Sequence, residues 1–171
     1  TLKLAELAFI IFYIQHYKPS LRIAVYCLLV TVCYYSLLAW LQFGNQASID
    51  GFLWFLGERT FNVATPGIAR IGVLGRELLR PYATFPHPNV LAGYLVTAVP
   101  LIFAINMKRQ LKVPLVLFII ATVGITFSRS AWMGLALIGV LFAVKQIPVI
   151  KKTVVIAMLV IIASGLLILQ L

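Results

Sequence analysis

Long apolar runs separated by short polar stretches dominate the pattern of this chain. Two of them, residues 23–41 and 153–171, contain about 19 residues each, the length that a helix needs to cross the core of a bilayer. The shorter apolar runs cover residues 4–14, 90–107, 113–127 and 131–144. This pattern predicts an all-α membrane helix bundle with about six spans. One long connection, residues 42–87, separates the second run from the third.

Residues 113–144 are compatible with one long helix or with two short ones. A single helix would be roughly 48 Å long, which exceeds the hydrocarbon core unless the helix tilts strongly. It would also place Lys112 and Lys145 on opposite sides of the membrane. We therefore predict two short helices that meet at Arg129, which lies between Ser128 and Ser130.

The connection 42–87 begins with residues that favour turns. The apolar pentad at residues 52–56 is too short to span a bilayer. Three of its five side chains are aromatic, which favours a position at the membrane interface. Residues 65–67 read Thr-Pro-Gly and match a type II turn, with proline at the second turn position and glycine at the third.

Residues 68–80 leave two alternatives open. At helical spacing their apolar and charged side chains separate onto two faces, as in an interfacial amphipathic helix, although Gly72 and Gly75 weaken that prediction. The other alternative is a β-hairpin around the Pro-Gly turn at residues 66–67. Pro81 disfavours helix at Arg80, so irregular or hairpin structure is slightly favoured there.

Composition places this pattern in lipid. Of the 171 residues 63% are hydrophobic and 11% are charged, and the mean hydropathy is +1.06. Such a chain has too few polar side chains to cover a surface that faces water. Because it starts with Thr1 and ends inside an apolar run, we interpret residues 1–171 as a single transmembrane domain within a longer polytopic protein.

The net charge of +10 is explained by topology better than by recognition of nucleic acid or anionic lipid. The basic residues cluster in three short loops between apolar runs, which is the positive-inside pattern of membrane proteins. They are Lys18 and Arg22, then Lys108, Arg109 and Lys112, then Lys145, Lys151 and Lys152. With these loops inside, residues 42–87 and 128–130 fall outside, and no nucleic-acid partner is expected.

Two arginines lie on that outer side. Arg80 directly precedes Pro81, and its planar fork of donors matches a phosphate or a carboxylate. It could clamp an anionic, lipid-linked substrate, snorkel at the interface, or pair with Glu77. Arg129 could provide a second anion contact, or it could mark an outer loop and snorkel to water.

Two further polar residues stand at the start of the third apolar run. His87 could act as a base or bind phosphate, or it could simply hydrogen-bond the backbone. Asn89 is expected to cap the following helix. Helix N-termini attract anions, so Asn89 and Arg80 together would suit a phosphate. The acidic residues are scattered and no Cys/His metal spacing appears, so no metal or other cofactor is predicted.

The segments LRPYATFPHPNVLAGYL, from Leu79, and TFSRSAWMGLAL, from Thr126, resemble the O-antigen ligase and polymerase superfamily of bacterial inner-membrane proteins. That family has an outer segment of the form R-x-x-G-T-F-x-x-P-N-x-L-A that leads into a membrane helix. A later segment of the form T-x-S-R-[GS]-A-[WL] lies near the outer face. One departure is Ala83, where the family often has glycine.

This resemblance implies a lipid-dependent glycosyltransferase that is metal-independent and acts at the extracytoplasmic face. The donor would be a glycan on undecaprenyl diphosphate, and the acceptor a glycan, a lipid or a protein. Arg80 and Arg129 match arginines thought to bind the donor's diphosphate in the family. The histidine that activates the acceptor in ligases is expected beyond Leu171 and is distinct from His87. The alternative is a transporter or channel for an anionic solute, with the same arginines along its path.

Overall fold

The computed structural model describes residues 2–18, 20–73 and 75–144, and this part of the chain is mostly helical. Its helices are α1 (Leu2–Tyr17), α2 (Leu21–Asn45), α3 (Phe52–Phe55), α4 (Pro88–Ala104), α5 (Arg109–Ile125) and α6 (Arg129–Val144). The predicted span at 153–171 and the basic residues 145, 151 and 152 lie outside the described residues. The chain forms two compact units, residues 1–131 and 132–171.

Helix α2 is the one helix in the described ranges that is both long and apolar enough to cross a membrane. Helices α1, α4 and α6 are apolar but shorter. The prediction of a mostly helical chain is confirmed. A bundle that crosses the bilayer about six times stays a prediction.

Helices α2, α4 and α5 pack against one another, and their buried side chains form the apolar core of the first unit. Near the end of α2, Trp40 Nε1 donates to Thr122 Oγ1 of α5 at 3.1 Å. Further back along α2, the hydroxyls of Thr31 and Tyr94 hydrogen-bond between α2 and α4. The rings of Phe43 and Phe127 also meet where α2 and α5 end, and the start of α2 shares a cavity lining with the end of α4. Helices α2 and α5 therefore run in the same direction and α4 runs against them. We call the end with Asn45, Pro88 and Ile125 the loop end and the opposite end the basic end.

The predicted break between two short helices is confirmed. Helix α5 ends at Ile125 and α6 begins at Arg129. Between them Phe127 adopts a left-handed backbone conformation with φ of 50°, which a continuous α-helix does not contain.

The connection between α2 and α4 contains a β-hairpin, the alternative slightly favoured near Arg80, so the strict all-α prediction is wrong in this loop. Strands β1 (Arg70–Val73) and β2 (Arg76–Leu79) pair antiparallel, with Ile71 opposite Leu78. The amphipathic helix is also wrong, because glycines 72 and 75 disfavour helix and the strands satisfy each other's backbone groups. The hairpin turns between Val73 and Arg76, not at the predicted Pro-Gly pair, and Gly75 supplies the positive φ of 76°.

The apolar pentad forms the short helix α3, whose aromatic side chains are exposed. Phe52 is 74% exposed and Phe55 is 76% exposed, and Trp54 lies between them. The structure thus presents an aromatic surface on the loop, and its position at a membrane interface stays a prediction.

Ala83 is buried with φ of 49°, in the left-handed region that favours glycine. This conformation costs an L-residue about 1–2 kcal/mol, and glycine loses roughly 0.5–1 kcal/mol in chain entropy on folding. We therefore expect Ala83→Gly to raise the free energy of unfolding by about 0.5–1 kcal/mol, measured by denaturant unfolding in detergent. Ala98→Gly, inside α4, is the matched control and should lower it by about 1 kcal/mol. A lower stability for Ala83→Gly would contradict this account.

Candidate functional site

Arg80 links two helices at the loop end. Its Nε donates to the carbonyl oxygen of Thr126 at 2.6 Å, and its Nη2 donates to Asn89 Oδ1 at 2.6 Å. Thr126 caps the C-terminus of α5, and Asn89 lies in the first turn of α4. The predicted alternative of a pair with Glu77 is wrong, because that carboxylate pairs with Arg70 at 2.8 Å.

The guanidinium of Arg80 is fixed and still has donors to offer. An arginine has five N–H donors, and the hydrogen bonds from Nε and Nη2 use two of them. Partial burial lowers the pKa of the Arg80 guanidinium, and interaction with Tyr82 acts in the opposite direction. Arginine nevertheless stays protonated at neutral pH. Arg80 is thus an oriented cation with three free N–H groups, which suits the oxygens of a phosphate.

The cap of α4 is His87, so the prediction that Asn89 caps this helix is wrong. His87 has extended backbone angles, and its Nδ1 accepts a hydrogen bond from the backbone N–H of Asn89 at 3.1 Å. The reason is the proline between them. Pro88 has no N–H and has the φ of a first helical residue, so the cap falls on the residue before it. Asn89 is left free to accept from Arg80.

This cap restricts what His87 can do chemically. Since Nδ1 accepts, the neutral ring carries its proton on Nε2. The exposed ring therefore presents a donor and not a basic lone pair. Among the predicted roles, the backbone-bonded histidine is confirmed, and a general base does not fit this arrangement.

Arg129 is the first residue of α6 and its side chain is exposed. No hydrogen bond or ion pair joins its guanidinium to the residues at 2–18, 20–73 or 75–144. Arg129 follows Thr126, the acceptor for Arg80, by three positions, and the intervening turn lies at the loop end. The hydroxyls of Ser128 and Ser130 lie 3.2 Å apart on either side of it. The structure thus brings the two predicted arginines to the same end of the helices.

A buried polar network that the sequence analysis missed holds this segment in place. Gln42, near the end of α2, accepts from the backbone N–H groups of Tyr82 and Ala83. Its Nε2 donates to the Ala83 carbonyl at 3.0 Å and to Glu58 Oε1 at 2.8 Å. The signal was a glutamine at the end of an apolar run, where a polar side chain needs partners.

Glu58 completes the network. It is 3% exposed and also accepts from the backbone N–H groups of Ile49 and Asp50. No cation pairs with this carboxylate in the described part of the chain. Backbone donors and Gln42 therefore take the place of a salt bridge, which identifies Glu58 as a structural group.

The described residues contain no group of three or more His, Cys, Asp or Glu that could hold a metal ion. What the loop end does contain is a set of donors: Arg80 with three free N–H groups, the exposed guanidinium of Arg129, and the Nε2–H of His87. Such a set can bind an anion with more than one phosphate.

Comparison with protein-family models, curated proteins and solved structures finds no match to this chain.

Proposed function

We propose that this chain forms the donor-binding part of an integral-membrane glycan ligase or polymerase. It would transfer an undecaprenyl-diphosphate-linked oligo- or polysaccharide to a glycan, lipid or protein acceptor at the extracytoplasmic face of the bacterial inner membrane. The observation that carries the proposal is the geometry of Arg80. Its guanidinium is held by Thr126 and Asn89, and its free donors lie at the same helix end as Arg129.

The chemistry of glycosyl transfer from a diphosphate calls for this type of group. As the sugar leaves, negative charge builds up on the departing phosphate. A cation that is oriented beforehand stabilises that charge without reorganising, most effectively where water is scarce. Arg80 meets this requirement because its two hydrogen bonds fix the plane of the guanidinium.

The distribution of charge and exposure supports a membrane setting. Every side chain that the structure describes in α1, from Leu4 to Tyr17, is exposed, although most of them are apolar. The described basic residues of the predicted inner loops lie at the basic end, on the opposite side from Arg80. This arrangement follows the positive-inside pattern, which supports an outer position for the loop end.

A small cavity beside His87 provides room for a sugar. It has a volume of about 140 Å³ and is lined partly by the hydroxyl residues Thr60 and Thr65 and by the rings of Tyr82 and Pro86. Hydroxyl groups and ring faces are the usual contacts of a bound sugar. Tyr82, which lines this cavity, follows Arg80 by two positions in the same segment.

The proposal is tested by Arg129→Ala in the full-length protein, with surface polysaccharide and lipid-linked precursor measured in cells. We expect about 10–100-fold less transfer and accumulation of the precursor, since a hydrogen bond to a charged group contributes about 1.5–3 kcal/mol. Arg109→Ala is the matched control, because Arg109 begins α5 as Arg129 begins α6, but at the basic end. Unchanged product with Arg129→Ala would overturn the diphosphate contact.

The transporter alternative is separated by a different measurement. Vesicles that contain the purified full-length protein are loaded with buffer and given radiolabelled phosphate or another small anion. We expect no uptake above that of empty vesicles. Uptake that depends on Arg129 would replace the glycosyltransferase with an anion path.

A further inference from the structure

A second candidate site is a cavity at the basic end. It has a volume of about 440 Å³, within the range of small-molecule sites. It lies between the start of α2 and the end of α4 and is lined by Arg22, Tyr26, Ala104, Ile105 and Asn106.

One cation lines this cavity, and a second contacts one of its lining residues. The exposed guanidinium of Arg22 lies on its wall, and no carboxylate pairs with it among the residues at 2–18, 20–73 and 75–144. The second cation is Lys112 of α5, whose Nζ donates to the carbonyl oxygen of Ile105 at 3.0 Å. The same Nζ lies 5.6 Å from the centre of the Phe103 ring. These contacts hold the ammonium against Ile105, a lining residue, and leave two of its three donors free.

Neutral donors complete the lining. The side chains of Tyr26 and Asn106 are exposed and bring a phenol O–H and an amide N–H to the same wall. A pair of cations with neutral donors between helices fits a phosphate group. Basic pockets between membrane helices on the inner side bind the head groups of anionic lipids.

The surroundings favour a lipid over a soluble phosphate. Exposed apolar side chains continue from the cavity along both helices, including Ile23 on α2 and Leu101 on α4. A phosphate that carries acyl chains could place them along these side chains, whereas inorganic phosphate gains nothing there.

We propose that this cavity binds the head group of an anionic phospholipid of the inner leaflet through Arg22 and Lys112. The inference rests on the membrane setting of the proposed function, but it does not depend on glycan transfer.

The test uses full-length protein in nanodiscs of phosphatidylcholine with a small fraction of phosphatidylglycerol or cardiolipin, and native mass spectrometry counts the retained lipid. Compared with wild type, we expect Arg22→Gln/Lys112→Gln to bind the anionic lipid about 30-fold more weakly, the factor for about 1 kcal/mol at each of two basic residues. The matched control is Lys108→Gln/Arg109→Gln, which removes two charges from the same end, at residues that neither line the cavity nor donate a side-chain hydrogen bond to its lining as Lys112 does. It should retain most of the binding.

Other outcomes are equally decisive. Equal loss in both double variants, or displacement of the lipid by soluble glycerol phosphate, would overturn the proposal. Tyr26→Phe removes only one O–H, so this variant should still fold and should bind the anionic lipid a few-fold more weakly. The proposal would also be overturned if both Tyr26→Phe and Arg22→Gln/Lys112→Gln bound the lipid as well as wild type does. Arg80→Ala should still bind the anionic lipid at the basic end. Failure of glycan transfer and failure of lipid binding can therefore be distinguished. Failure of the wild-type chain to enter nanodiscs would overturn the membrane setting and this inference together.

Discussion

Replacement of Arg80 with alanine is expected to reduce glycan transfer by the full-length protein about 10²–10³-fold. Loss of one oriented donor to a developing negative charge has effects of this size. The lipid-linked precursor should accumulate while the protein remains in the membrane. The measurement is transfer from purified lipid-linked donor in detergent, with kcat and KM determined separately.

Two further variants separate chemistry from structure, because Arg80 also links α4 to α5. Asn89→Ala removes one of these links but keeps the cation, and we expect a loss of no more than about 10-fold. Arg80→Lys keeps the charge but lacks the planar fork of donors, so its kcat should be nearly as low as that of Arg80→Ala. The control is Arg76→Ala, since Arg76 is an exposed arginine of the hairpin. If Arg80→Ala had the same kcat as wild type, this would falsify the role of Arg80 in stabilising the departing phosphate.

Replacement of Gln42 with leucine is expected to have the largest effect on stability, about 3–4 kcal/mol of the free energy of unfolding. Leucine has a similar size but makes none of the four hydrogen bonds. It leaves buried backbone groups of Tyr82 and Ala83 without partners, and each such group costs about 1–3 kcal/mol. Thermal unfolding in detergent and limited proteolysis of residues 46–87 would measure the effect.

Gln110→Leu is the matched control, because Gln110 is an exposed glutamine in the first turn of α5. It should change the free energy of unfolding by less than about 0.5 kcal/mol. If the two variants were equally stable, the loop would not depend on the buried network.

The elements that could be predicted are those set by local sequence. The polar residues 128–130 between two apolar runs predict a break, and the structure has it two positions earlier, at 126–128. The position of the hairpin turn could not be predicted, because the Pro-Gly pair at 66–67 suits a turn as well as Gly75 does. The cap at His87 was accessible in principle, since a proline at the first helical position assigns the cap to the residue before it.

The partners within the site could not be predicted, because they are distant in the chain. Arg80 and Thr126 are separated by 46 positions, and Gln42 and Ala83 by 41. Local spacing carries no information about which carbonyl a given guanidinium meets. Arg80 and Arg129 were predicted as candidates from their residue type and their predicted side of a membrane, whereas their common helix end follows from the packing of α2, α4 and α5.

The attachment of Gln42 to residues 82 and 83 has a consequence for how the loop can vary in length. Arg80 is tethered to helices from both directions, through Gln42 on α2 and through its own hydrogen bonds to α4 and α5. The hairpin tip at Gly75 has no part in either tether. Insertions are tolerated best at exposed tips whose backbone supports nothing else. Residues can therefore be inserted at Gly75, by natural variation or as an engineered epitope, without displacing the Arg80 guanidinium.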